Sequence, residues 1–154
     1  MSPAEFKAAL SRWVTGVTVV TTRSRGGELA GLTASSFTSV SLEPPLVLFC
    51  LAHSSTGKPA FDATDGFVIN ILSAGQRTLS ARFAQQGGDK FAGVAWHAGL
   101  RGMPLLDEAL AHLECRIAQV HPGGDHLLVV GEVEEVHVRE EQPLVYYRGA
   151  YHSL

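Results

Sequence analysis

The sequence is poor in charge and has no long apolar runs. Charged residues make up 18% of its 154 residues, and the formal net charge is -3. This balance lacks the basic surface that nucleic-acid binding requires, so we expect no nucleic-acid partner. No apolar run approaches the roughly 18 residues of a membrane-spanning helix, and the first residues lack a secretory signal. We therefore expect a cytoplasmic protein without a membrane partner.

Several signatures of catalytic sites are missing as well. The seven histidines do not recur at metal-ligand spacing, so we expect no metal site. There is no G-x-S-x-G elbow and no Walker loop. The missing G-x-G-x-x-G argues against a Rossmann domain but leaves other nicotinamide-binding folds open. The two cysteines, Cys50 and Cys115, lie in apolar stretches, where we expect free buried thiols.

The apolar content of the chain is sufficient for one hydrophobic core. Hydrophobic residues make up 45% of the 154 residues, which suits a single domain over residues 1–154. Predicted strands outnumber helices, and few neighbouring strands are separated by a helix long enough for a parallel crossover. We therefore expect a mainly β fold, a mostly antiparallel barrel with peripheral helices.

The predicted strands are marked by β-branched and apolar runs. Residues 17–22 and 29–33 flank Gly26-Gly27 and predict a hairpin. Val133 and Val136 lie at opposite parities of one run, which predicts a bulge or a sharp corner between them. The other predicted strands are residues 37–42, 46–51, 66–72, 113–120, 127–138 and 143–151.

Helical signals are few. Ser2, Pro3 and Glu5 form a capping box at the start of the chain. The helix that follows has one apolar face, formed by Phe6, Leu10 and Trp13. A short helix is predicted near residues 60–63, and the glycine-rich residues 85–104 are expected to be irregular.

The run LVLFCL at residues 46–51 is apolar at every position. A strand of this kind needs cover on both faces. The barrel interior would cover one face, and a partner subunit is the simplest cover for the other. This run therefore favours a homodimer.

Three short segments carry groups suited to ligand binding. GLTASSF at residues 31–37 places small hydroxyls between two strands, which suits a phosphate or the polar edge of a flat heterocycle. HSST at residues 53–56, with Lys58, precedes a helix and could attract an anion. Asp125 and His126 could form a catalytic pair. The alternatives are a Ser/Thr-rich turn, plain helix capping and a hairpin turn, respectively.

The order of these segments resembles the flavin reductase-like family, with its FMN-binding split barrel. The specific matches are GLTASSFTSVSLEPPLV at residues 31–47 and Gly-Asp-His at residues 124–126. Supporting matches cover most of the remaining chain: Trp13, TGVTVV at 15–20, FVINIL at 67–72, RF at 82–83, DKF at 89–91 and PLVYYRGAY at 143–151. The resemblance implies a Greek-key split barrel that works as a homodimer.

The resemblance also implies an activity and a set of site residues. NADH or NADPH would reduce FMN, with FAD also possible, and the reduced flavin would pass to a partner monooxygenase. The residues implied along the flavin ring and ribityl chain are Thr33, Ala34, Ser35 and Ser36, with backbone contacts from Cys50, Leu51 and Ala52. Those implied at the phosphate are Ser55 with Lys58 or Arg82, and those closing the site are Lys90 and Phe91. The residues implied near the nicotinamide are Asp125 and His126, with Tyr151 or His152 at the rim.

Three other functions stay open at this stage. The first is a non-catalytic flavin- or haem-binding barrel. Gly-Asp-His at residues 124–126 argues against it, because such a protein does not need a catalytic pair. A pyridoxine-phosphate oxidase-like enzyme, which oxidises a substrate with bound FMN, normally has a more basic phosphate site. In a purely structural dimeric barrel, the hydroxyls of residues 33–36 would have no ligand to bind.

Overall fold

The computed structural model describes residues 1–154 and is dominated by strands. The helices are α1 (Pro3–Leu10), α2 (Lys58–Asp62) and α3 (Arg77–Phe83). The strands are β1 (Thr15–Gly16), β2 (Thr18–Arg23), β3 (Leu29–Ala34), β4 (Thr38–Ser41), β5 (Leu46–Ala52), β6 (Gly66–Ile71), β7 (Trp96–Ala98), β8 (Pro104–Leu106), β9 (Ala111–Gly123), β10 (His126–Val138), β11 (Val145–Tyr147) and β12 (Ala150–His152). None of the helices is long and apolar enough to cross a bilayer.

Seven strands form one antiparallel sheet in the order β3-β2-β6-β9-β10-β5-β4. The sheet curls around an apolar core that includes Val20, Phe49, Phe67 and Ile69, and Phe61 of α2 closes one end. Strands β3 and β4 are the two edges and do not pair with each other. The barrel is therefore split along one seam, and the predicted mainly β, antiparallel fold is confirmed.

Strand β5 shows how the apolar run at residues 46–51 is used. Val47, Phe49 and Leu51 are buried, and the residues between them are only half-buried. Because side chains alternate between the faces of a strand, the first set fills the barrel and the second faces outward. The outer apolar face of β5 is thus only partly covered within one chain.

The hairpin of β9 and β10 contains the bulge that the sequence predicts. Its register passes from Val133 opposite Cys115 to Glu135 opposite Glu114, so Glu134 has no residue opposite it on β9. A second shift lies between Val130 and Gly131 and was not predicted. A side chain at Gly131 would collide with the ring of Phe67, so the core packs directly against the backbone here.

The end of the chain differs from the prediction. Residues 143–151 were expected to form a single strand, but β11 and β12 pair with each other as a hairpin. Arg148 and Gly149 both adopt positive φ, 51° and 76°. Two successive residues of this kind reverse the chain tightly, which ends β11. Residues 85–104 are also less irregular than expected, because β7 lies within them and pairs with β8.

Helix α1 forms as predicted but packs differently from a typical surface helix. The Glu5 N–H donates to Ser2 Oγ at 3.2 Å, and the Ser2 N–H donates to Glu5 Oε2 at 2.7 Å. The helix has no buried residue. On its apolar face, Phe6 and Leu10 are 50% and 55% exposed, whereas Trp13, predicted on the same face, lies beyond the end of the helix and is 76% exposed. The chain itself therefore provides little cover for this face.

Asn70 of β6 fastens the segment that follows α3 to the barrel. Its side chain is fully buried, and Nδ2 donates to the Val19 carbonyl and to Thr21 Oγ1, each at 2.9 Å. Its Oδ1 accepts a hydrogen bond from the Leu106 N–H of β8, also at 2.9 Å. One amide side chain thus joins three strands.

We predict that Asn70→Ala lowers the free energy of unfolding by about 3 kcal/mol, because it leaves buried polar groups without partners. Urea denaturation followed by circular dichroism measures this change. The control is Gln119→Ala at an exposed position of β9, which should change stability by no more than about 0.5 kcal/mol. A loss for Asn70→Ala as small as that of the control would contradict the prediction.

Candidate functional site

A cleft of about 290 Å³ opens at the seam of the barrel. It lies between the end of edge strand β3 and the ends of β5 and β10, and we call it the seam cleft. The structure brings into it these predicted site residues: Thr33, Ala34, Ser35, Ser36, Cys50, Ala52, Ser55, Lys90 and His126. Residues far apart in the sequence therefore meet because the split exposes one edge of the sheet.

The wall formed by β3 offers backbone groups to a ligand. Strand β3 pairs only with β2, so its other edge makes no strand contacts. The Gly31 carbonyl points to that open edge, where it accepts a hydrogen bond from Lys90 Nζ at 3.2 Å. Because peptide groups alternate along a strand, those of Thr33 point the same way. This edge can hydrogen bond to the polar rim of a flat ring.

Ser36 bridges the seam at the end of the cleft. Its Oγ accepts a hydrogen bond from the Cys50 N–H of β5 at 3.0 Å. Between the end of β3 and the start of β4, the Ser36 hydroxyl thus accepts the hydrogen bond that a backbone carbonyl would accept within a sheet. The hydroxyl positions the strand end and contributes a polar atom to the cleft wall.

Lys90 is the cation of the seam cleft. Its Nζ donates to the carbonyls of Gly31, at 3.2 Å, and Phe83, at 3.1 Å, and forms no ion pair. Burial lowers the pKa of this ammonium below its usual value. A cation without a carboxylate partner is well suited to an anionic group of a ligand.

Asp125 and His126 form a pair at the other end of the cleft. His126 Nδ1 lies 2.6 Å from Asp125 Oδ1, and this hydrogen bond from the imidazole lowers the pKa of the exposed Asp125 carboxyl. An ionised carboxylate can only accept, so Nδ1 carries the proton. The Nε2 atom of His126 is then free to act on a ligand. The sequence predicted this pair, and the structure gives its geometry.

Some predicted residues lie outside the seam cleft. The Leu51 side chain is buried in the barrel core, so only its backbone is near the site. Lys58 is the first residue of α2 and pairs with Asp62 at 2.8 Å. Arg82 lines a separate cavity on the far side of α3. Neither basic residue lines the cleft, and the helix N-cap is Gly57 rather than Ser55 or Thr56.

Residues at the C-terminal hairpin lie beside the cleft rather than in it. The hydroxyls of Tyr151 and Ser80 are hydrogen bonded at 2.7 Å. Tyr151 lines a neighbouring cavity that shares Thr33, Ala34, Ser35 and Ala84 with the cleft. His152 is exposed, and its Nε2 lies 3.3 Å from the Tyr147 carbonyl oxygen.

Sequence reasoning missed part of the cleft wall. The additional lining residues are Leu32, Phe83, Ala84, Gln85 and Gln86. The loop that carries the glutamines is held by Thr56, whose N–H donates to Gln86 Oε1 at 3.3 Å and whose Oγ1 accepts from the Gly87 N–H at 3.1 Å. Leu32 and Phe83 lie within segments that carry the family resemblance, at residues 31–37 and 82–83, whereas no motif or periodicity marks Ala84, Gln85 or Gln86. Phe91, predicted to close the site, lies just beyond, with its ring centroid 5.1 Å from that of Phe83.

The chain is similar in sequence to known reductases along most of its length. The chain is 41% identical over 155 residues to the reductase subunit HsaB of a flavin-dependent monooxygenase from Rhodococcus jostii, covering all of this chain and 79% of that protein. It is 44% identical over 146 residues to the FMN reductase (NADH) SmoA of Agrobacterium fabrum, covering 95% and 83% of the two chains.

A solved structure is similar as well. The Streptomyces globisporus NADH:FAD oxidoreductase SgcE6, in complex with NAD and FAD fragments, has a TM-score of 0.90 and 36% identity. The match covers 97% of this chain and 90% of that one. The flavin reductase like domain matches residues 10–154. This chain therefore belongs to the family of flavin reductase-like domains.

Proposed function

We propose that this chain is an NAD(P)H-dependent flavin reductase. It transfers a hydride from a nicotinamide to FMN in the seam cleft and supplies reduced flavin to a partner flavin-dependent monooxygenase. The observation that carries the proposal is the meeting of the β3 hydroxyl segment, Lys90 and His126 in one cleft. The relatives named as an FMN reductase (NADH) and a monooxygenase reductase subunit support it.

The cleft residues fit a flavin. Small side chains at Ala34 and Ser35 leave space for a flat ring, and the open edge of β3 can bond its polar rim. Ser55 and Lys90 line the same cleft and can hold a phosphate. When bound, the flavin supplies the hydride-accepting chemistry. The protein then needs neither a nucleophile nor a metal for this reaction.

His126 has a positioning role in this proposal. Hydride transfer requires the two rings to be stacked with reacting atoms roughly 3–3.5 Å apart. Asp125 holds the His126 ring through Nδ1 at 2.6 Å, which leaves Nε2 free to contact a nicotinamide bound in the cleft. The imidazole can donate to the nicotinamide amide or offset negative charge as hydride arrives.

We further propose that the chain is a single domain that forms a homodimer in the cytoplasm. The apolar face of α1 and the outer face of β5 are incompletely covered by the chain itself. A second copy would supply matching apolar surface for both. Cys50 and Cys115 are free thiols, which suits a reducing compartment.

We expect purified, flavin-free protein to oxidise NADH or NADPH rapidly once FMN is added, as followed at the nicotinamide absorbance band. Without FMN the rate should be at background. The FMN saturation curve would show whether flavin behaves as a substrate. If the protein binds FMN but oxidises neither nicotinamide, it is a non-catalytic flavin-binding barrel and the proposal is wrong.

Replacing His126 by alanine should lower kcat with NADH by about tenfold or more. The FMN dissociation constant should change by less than about threefold, because the β3 edge and Lys90 are intact. Flavin fluorescence titration measures the binding, and His121→Ala on the exposed hairpin serves as control. A large loss of FMN affinity in His126→Ala would show that His126 holds the flavin instead.

Sedimentation at micromolar concentration should give the mass of a dimer. The double variant Phe6→Ser/Leu10→Ser should shift the protein toward monomer, because it removes apolar surface from α1. Lys7→Ser on the same helix is the matched control and should remain dimeric. A wild-type chain that sediments as a monomer would contradict the homodimer.

A further inference from the structure

Away from the seam cleft, three imidazoles lie in a row at the end of the β9–β10 hairpin that is remote from its tip. His112 of β9 and His137 of β10 are opposite each other in the register, and His97 belongs to β7. The ring centroid of His112 lies 6.2 Å from that of His97 and 6.0 Å from that of His137. We call these three residues the histidine row. A charge on His112 therefore lies between two other groups that can become cations.

The two outer imidazoles each have a carboxylate partner. His97 Nδ1 lies 2.8 Å from Asp107 Oδ1, and His137 Nε2 lies 3.0 Å from Glu114 Oε2. Ionised carboxylates can only accept, so these two nitrogens carry protons. Both outer side chains are exposed, whereas that of Glu114 is buried. The outer imidazoles can therefore take a second proton from solvent with a negative charge beside them.

His112 is buried and bonds to a neutral group instead. Its Nε2 lies 2.7 Å from the Leu106 carbonyl oxygen, so Nε2 carries the proton and Nδ1 is the site for a second one. Burial, above all, lowers the pKa of His112 below its ordinary value, and charge on His137 and His97 lowers it further. The Leu106 carbonyl and the Glu114 carboxylate act in the opposite direction. The folded chain thus favours a neutral ring at the centre of the row.

Few charged groups surround His112. Those on the elements around it are His97 on β7, Asp107 after β8, Glu114 on β9 and His137 on β10. Arg101 acts on Glu114 but is paired with Glu134. With all three imidazoles protonated, the row would have three cations and two carboxylates. The positive charge would then exceed the negative charge around a buried ring.

Strand β7 connects the histidine row to the seam cleft. Trp96, the neighbour of His97, packs against Phe91 with ring centroids 6.3 Å apart. Phe91 in turn packs against Phe83 of the cleft wall at 5.1 Å. Lys90 precedes Phe91 and donates to the Phe83 carbonyl at 3.1 Å. A displacement of β7 therefore reaches the cation of the cleft through two ring contacts.

We propose that the histidine row is a pH-sensitive latch that holds β7 against the barrel and thereby controls flavin binding in the seam cleft. A proton on His112 Nδ1 places a cation about 6 Å from each outer imidazole. The bond from Nε2 to the Leu106 carbonyl persists, so the repulsion acts on the outer rings. His137 belongs to a strand of 13 residues, whereas β7 has 3 residues and pairs only with β8. Strand β7 is therefore the element that moves.

The latch weakens as the pH falls. Because the folded chain disfavours a proton on His112 and the unfolded chain does not, the contribution of His112 to stability is complete above about pH 6.5. It is lost at lower pH as the ring is charged in the folded chain. Movement of β7 then displaces Phe91 and Lys90, so FMN affinity should fall over the same range. This control of flavin binding rests on the proposed function, whereas the effect on stability does not.

The test uses uncharged substitutions of similar shape. His112→Gln retains a donor for the Leu106 carbonyl and cannot take a proton, and His121→Gln makes the same change at an exposed position of β9 outside the row. Thermal unfolding midpoints and FMN dissociation constants are measured at about pH 7.5 and pH 5.5, on either side of histidine titration. Protonation of His126 or of the flavin phosphate affects all three proteins alike, so the difference between them isolates the row.

Between these pH values, we expect the midpoint of wild type to fall by about 3 °C more than that of His112→Gln. The FMN affinity of wild type should fall by about fivefold more. His121→Gln should behave as wild type. Equal falls for wild type and His112→Gln would overturn the latch. A difference in midpoint without a difference in FMN affinity would overturn the control of the cleft.

A second variant tests the latch even if His112→Gln does not fold. The double variant His97→Asn/His137→Gln removes both outer charges at exposed positions and retains donors for Asp107 and Glu114. It should reduce the pH dependence of the midpoint and of FMN affinity, and a pH dependence equal to that of wild type would overturn the latch. NADH oxidation by wild type with FMN near pH 7.5, where the latch is closed, tests the proposed function separately.

Discussion

The unpaired edge of β3 is the constraint on which the site depends. Strands β3 and β4 are the two edges of one sheet and do not pair, and Ser36, in the connection between them, accepts a hydrogen bond from Cys50 of β5. An exposed strand edge is normally a liability, since its peptide groups invite pairing with another chain. Here the edge is covered in part by Lys90. The remaining peptide groups are available to a ligand, so an incomplete barrel leaves an open groove.

The segments around the groove each depend on contacts made elsewhere. Asn70 fixes β8 to the barrel, and the chain before β8 brings Lys90 back to the β3 edge. Thr56 holds the glutamine loop through two hydrogen bonds. Asp125 orients His126 from a tight turn at the head of β10. The seam cleft is therefore preorganised by the fold, which lowers the entropy lost when a ligand binds.

Local features of the fold could be read from the sequence, and long-range ones could not. The capping box of α1 and the bulge at Glu134 follow from spacing and parity, and both are present. The hydroxyl segment and the Asp125–His126 pair lie in the cleft or at its mouth because strand ends meet at the seam. The position of Arg82 could not be predicted in this way, because the direction of its side chain depends on how α3 packs against the barrel. The Arg148-Gly149 turn was missed because arginine seldom adopts positive φ.

The most direct test of the account is a crystal structure of the protein with FMN. The account predicts that the isoalloxazine ring lies in the seam cleft against the open edge of β3, within reach of His126 Nε2. The phosphate should lie near Ser55 and Lys90, which line the same cleft. A flavin bound elsewhere on the molecule would contradict the assignment of the seam as the reaction site.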